Sequence, residues 1–186
     1  MKTLDVFVVE LKKRINDTIK TESGLELYID TRFEMGEFNN RVNEGPVVCS
    51  PIKHDTGVKE GDTLYFHHHE VINDGQPLTG NDNNYIVNYD AKNTHGCQAI
   101  AYKCKDTKNI YPLGGWALLE SIDEEKQIDS TTIEIIELET KNPEKGRVSF
   151  DAPWLKEIGV NKGDVVGFVK NADYRLMIDG KEHYRT

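Results

Sequence analysis

The densest group of potential ligands in this 186-residue chain is His67-His68-His69-Glu70. On an extended strand alternate side chains share a face, so His67 and His69 would point the same way. Cys49, His54 and His95 are the side chains that a fold could bring to them. A metal site needs three or four converging ligands, each held by its own hydrogen bonds. No ligand-pair spacing recurs elsewhere, so the run is read as a polar strand end following Phe66. A module binding zinc or nickel through His67 and His69 stays open as an alternative. Cys49, Cys97 and Cys104 are odd in number and include no C-x-x-C pair, which points to free thiols. The chain has no glycine-rich phosphate loop, no G-x-S-x-G and no H-E-x-x-H. No catalytic residue, metal or cofactor is expected, and the chain is read as a protein that is not an enzyme.

Any site must be positioned by a framework that the chain writes twice. Residues 58–66 read V-K-E-G-D-T-L-Y-F and residues 160–168 read V-N-K-G-D-V-V-G-F. Both follow V-x-x-G-D-x-x-x-F, at an offset of 102 residues. Upstream of each lies a glycine followed by a short apolar run, Gly45-Pro46-Val47-Val48-Cys49 and Gly146-Arg147-Val148-Ser149-Phe150, at an offset of 101. Further upstream an apolar strand pattern ends in Glu10 in one copy and Glu120 in the other, at an offset of 110. The framework keeps its order while one connection differs by nine residues, and indels of this kind collect in surface loops. Two small domains are expected, residues 1–107 and 108–186, with a boundary in the polar stretch 103–109 ahead of Pro112.

Composition narrows the class. A formal net charge of −9 opposes nucleic acid and anionic membrane as partners, since both reward basic patches. No run of about 18 apolar residues is present to span a bilayer, and the N-terminus runs into strand pattern without a signal-peptide core. A cytoplasmic protein is expected. Short apolar or alternating segments between turn signals predict an all-β chain, with strands over 6–10, 84–89, 98–102, 116–120 and 174–178. Asp179-Gly180 predicts a tight hairpin, and a short helix fits 154–158. Residues 9–19 can be read as helix or as a continuation of the first strand.

The connection between Glu10 and Glu44 embeds Leu25-Glu26-Leu27-Tyr28-Ile29 in polar sequence, with a mobile loop expected over about 17–43. Long structureless loops in compact domains are commonly functional. Two readings stand side by side: Leu25, Leu27 and Ile29 form a core strand, or they are held out for a partner groove. Burial of each is worth about 1.5–3 kcal/mol, less the entropy of ordering the loop. The second copy carries the same apolar-Glu-apolar form at Ile133-Glu134-Ile135.

Taken in order, these phrases resemble the GroES-like co-chaperonins, the chaperonin-10 family, in two tandem copies. Tyr111-Pro112-Leu113-Gly114 looks like the family's opening, and Ser23-Gly24-Leu25-Glu26-Leu27 resembles its mobile-loop triplet. Glu44-Gly45-Pro46-Val47-Val48, residues 58–66 and Ile178-Asp179-Gly180 resemble the phrases that follow. The resemblance implies two small GroES-like β-barrels, the second lacking the family's final strand. It implies a co-chaperonin that caps a nucleotide-bound, GroEL-like chaperonin ring and assists ATP-dependent folding. Gly24, Leu25, Glu26 and Leu27 carry over onto the contact triplet, with Ile133, Glu134 and Ile135 as the second set. A homo-oligomer is implied, and the acidic, Asn- and Asp-rich sequence is similar to bacteriophage versions that work in the host cytoplasm. The alternative is a β-barrel interaction or virion-associated protein without lid activity.

Overall fold

The computed structural model describes residues 2–13, 18–21, 23–28, 42–68, 70, 77–92, 96–122, 145–168 and 174–186. The chain divides into two compact units, Met1–Gly115 and Trp116–Thr186. Among the described residues every pairing between strands is antiparallel, and the fold is predominantly β, as the strand patterns predict.

In the first unit the strands are β1 (Val6–Glu10), β2 (Thr18–Lys20), β3 (Glu26–Tyr28), β4 (Glu44–Cys49), β5 (Thr63–Phe66), β6 (Pro77–Leu78), β7 (Asn81–Asn88), β8 (Ala99–Lys103) and β9 (Ile110–Pro112). Seven form one sheet in the order β6-β7-β1-β4-β5-β8-β9, while β2 and β3 form a separate two-stranded sheet. Phe7 and Val9 of β1 pack with Val47, Leu64, Phe66, Val87 and Ala99 in the main core. The strand register continues through Glu10, and Leu11 joins the same core, so the helical alternative over 9–19 fails at its start.

In the second unit β10 (Leu118–Ser121), β11 (Lys145–Val148), β12 (Val165–Gly167), β13 (Tyr174–Ile178) and β14 (Lys181–Arg185) form one sheet in the order β12-β11-β10-β14-β13. A single helical turn, α1 (Pro153–Glu157), starts on a proline, whose fixed φ suits that position, and buries Leu155. Asp179 and Gly180 both have positive φ, 50° and 79°, as a two-residue type I′ hairpin requires.

Reversed, the second order reads β13-β14-β10-β11-β12, which matches β6-β7-β1-β4-β5 strand for strand. The repeated phrase is the turn that feeds the strand at one end of this shared set, and its bonding is duplicated. Val47 N–H donates to Asp62 O (2.8 Å) and Gly61 N–H to Val47 O (2.8 Å). Val148 N–H donates to Asp164 O and Gly163 N–H to Val148 O, both at 2.9 Å. The carboxylate of each aspartate accepts the N–H three residues back, Lys59 or Asn161, at 2.8 Å. Gly61 and Gly163 take φ of 85° and 96°, which an L side chain rarely adopts. V-x-x-G-D-x-x-x-F is therefore turn chemistry with a core residue at each end.

The other shared glycine has a different cause. A Cβ on Gly45 would lie 2.6 Å from Leu11 Cδ2, and one on Gly146 would lie 2.7 Å from Leu119 Cβ. Each glycine also faces a main-chain oxygen, that of Glu10 or of Glu120. The close approach of neighbouring strands requires it.

Three expectations are corrected. Among the described residues neither sheet closes into a barrel, because the outermost strands β6 and β9, and likewise β12 and β13, do not pair. Pro77 and Pro112 lack the N–H that a ladder needs, and β6 has only two residues, so these edges are built to stop pairing. The division falls at Gly115, not at residue 107, because β9 is hydrogen-bonded to β8. Tyr111-Pro112-Leu113-Gly114 thus ends the first unit and does not open the second.

Candidate docking hairpin

Gly24, Leu25, Glu26 and Leu27 lie on the β2–β3 hairpin, while Ile133, Glu134 and Ile135 lie outside the described residues. The ladder pairs Thr18 with Tyr28, Ile19 with Leu27 and Lys20 with Glu26. Thr21 organises the turn: its N–H donates to Leu25 O (2.9 Å) and its Oγ1 accepts from Leu25 N–H (3.1 Å). Gly24 N–H donates to Thr21 O (2.9 Å), and the φ of 82° at Gly24 needs a residue without Cβ.

Three apolar side chains of the β3 side of the hairpin stand in water. Leu25 is 59% exposed, Leu27 48% and Tyr28 82%. The segment is a strand, but not the core strand that one reading of its pattern allowed. Strand alternation sets Leu27 on one face and Glu26 with Tyr28 on the other, so both faces carry a large apolar group. A two-stranded hairpin is marginally stable alone in water, and covering such side chains would stabilise it. Tyr28 was not among the residues singled out from the sequence, although it directly follows the triplet.

Among the described residues the polar candidates do not assemble. His67 and His68 stack with centroids 4.4 Å apart, while His69 and His95 lie outside the described residues. His54 is elsewhere, 5.3 Å from the Tyr89 ring and with Nε2 3.7 Å from Asp5 Oδ1. Cys49 and Cys97 are buried, and Cys104 is partly exposed. Among the described residues no three His, Cys, Asp or Glu side chains come together as a ligand set.

Three buried polar residues have surroundings that the sequence did not signal. Glu70 is 8% exposed, and burial pushes its carboxyl up to about 7, partly offset by a hydrogen bond with Asn88. Ser149 Oγ lies 3.0 Å from His183 Nδ1, with exposures of 6% and 2%. These are the atom types of a nucleophile and a base, and both side chains are buried. A pair 34 residues apart on different elements leaves no local pattern to find.

No helix among the described residues is long and apolar enough to cross a membrane. No family model, curated protein or solved structure matches the chain.

Proposed function

We propose that the chain is a non-enzymatic docking protein that inserts the β2–β3 hairpin into an apolar groove of a partner. The observation that carries this is the exposure of Leu25, Leu27 and Tyr28 on a two-stranded sheet separate from the main one. Full burial of three such side chains is worth several kcal/mol, at about 1.5–3 kcal/mol each. The formed turn lowers the ordering cost that a structureless loop would meet on binding. Gain and cost together fit a contact of modest strength, which repeated copies in an oligomer would reinforce.

The partner favoured by the sequence resemblance is a GroEL-like chaperonin ring in its nucleotide-bound state, with this chain as an oligomeric cap in the cytoplasm, or in a host cytoplasm for a phage version. The test mixes the protein with a chaperonin and ATP and sizes the complex. Co-elution is expected, and Leu25→Ser with Leu27→Ser should abolish it without changing the fold. Failure to co-elute with any ring tested would leave the second reading, an interaction or virion-associated β protein without lid activity. The open edges of both sheets favour that reading over a closed-barrel lid.

A further inference from the structure

The second unit carries one buried histidine. His183 lies on β14, between β10 and β13, paired in register with Leu176. Its Nδ1 meets Ser149 Oγ at 3.0 Å, and its ring stands 5.2 Å from that of Phe150. Ser149 N–H donates to Leu118 O (2.9 Å), so the pair ties β14 to the segment leaving β11.

The charges around this imidazole leave a proton poorly compensated. Glu120 on β10 favours the charged ring, and Lys181 on β14 opposes it. From the segment after β11, Lys162 lies over the Phe150 ring at 5.9 Å, and Asp151 is engaged by Lys156 (3.2 Å) and by the Lys162 N–H. On β13, Arg175 faces Glu182 at 3.8 Å. Among the described residues no carboxylate lies within ion-pairing distance of His183. A buried charge without a partner is costly, and water entry is the available relief.

We propose that the Ser149–His183 pair is an acid-sensitive latch: proton uptake by His183 frees β14 from the Ser149 segment and opens the second unit. Burial holds the imidazole below its ordinary value of 6.5, with Glu120 acting weakly in the other direction. The folded form therefore binds the proton less well than the open form. The latch contributes fully above about 6.5 and loses its contribution as pH falls below that value toward the lower folded one. In that window the closed-to-open ratio falls with pH, by at most about tenfold per pH unit for a single proton.

The chain contains two tryptophans, Trp116 and Trp154, and both lie in this unit, so tryptophan fluorescence reports on it selectively. Titration of the full chain from pH 8 to 5 should give a fluorescence transition below pH about 6.5. The His183→Gln variant, which keeps a hydrogen-bonding group and cannot take the proton, should flatten it. No transition in the wild type, or one unchanged in the variant, overturns the latch. Should His183→Gln not fold, amide exchange of the wild type decides instead. After correction for intrinsic rates, β13 and β14 should lose protection as pH falls from about 6.5 to about 5.5, with β1 and β7 unchanged. Equal loss in both units overturns the latch as well.

Discussion

Asp62 and Asp164 occupy equivalent places in the repeated turn but differ in what surrounds them, and this asymmetry should appear in stability. Asp62 is 1% exposed, and its carboxylate accepts two main-chain donors, Lys59 N–H at 2.8 Å and Lys105 N–H at 2.9 Å. Asp164 is exposed and accepts one, Asn161 N–H at 2.8 Å. An unsatisfied buried donor costs about 1–3 kcal/mol, whereas water replaces a partner lost at the surface. Asp62→Ala should therefore cost about 3–4 kcal/mol by stranding two donors, and Asp164→Ala about 0.5–1 kcal/mol. Urea unfolding followed at two wavelengths separates them. Far-ultraviolet circular dichroism reports both sheets, and tryptophan fluorescence reports only the second unit. Asp62→Ala should move the dichroism transition to lower urea, and Asp164→Ala should shift the fluorescence transition slightly. Equal costs for the two substitutions would refute the reasoning, because it rests on the burial of the Asp62 carboxylate and on its second main-chain donor.

Gly146→Ala should destabilise the second unit by about 1–3 kcal/mol, since its new Cβ would press on Leu119 Cβ, which cannot swing away. Gly45→Ala should cost less in the same urea assay, because the nearest atom there is the movable end of Leu11. Glu70 is held near 7 against an ordinary 4.5, so its folded form prefers the proton. Its contribution is full below about 4.5 and disappears as pH rises through about 7, and Glu70→Gln should raise stability at pH 8 by up to about 3 kcal/mol with no gain at pH 4. A thiol reagent should modify Cys104 first: it is partly exposed, and hydrogen bonding with Thr107 lowers its pKa, while Cys49 and Cys97 are buried. One thiol should react quickly in the native protein, and all three after denaturation.

What could be read from the sequence was local. The Gly-Asp turns were visible because positive φ and a side-chain cap need particular residues at fixed places, and the Asp179-Gly180 hairpin for the same reason. Strands appeared as short apolar runs, as along β1, or as alternating burial, as along β13. The failure of closure could not be read this way, since it depends on whether distant strands such as β6 and β9 meet. Nor could the pattern of Leu25 to Ile29 tell a buried strand from an exposed hairpin, because both alternate. Ser149 with His183, and Glu70 with Asn88, depend on neighbours that only the folded sheets supply.

The comparison of the two copies bears on where binding resides. Their shared turn agrees bond for bond, and its residues answer to backbone geometry and core packing, so it belongs to the framework. The copies differ in what is added to that framework. In the first, β8 covers the outer side of β5, and Lys105 beyond it closes over Asp62. Among the described residues the outer side of β12 has no such strand, and Val165 is 52% exposed. The first copy also carries β2 and β3 in a connection nine residues longer than its counterpart. Among the described residues, Leu25, Leu27 and Tyr28 of this hairpin stand in water and no side chain of it belongs to the core of its unit. That exposure is what the proposed partner groove would cover.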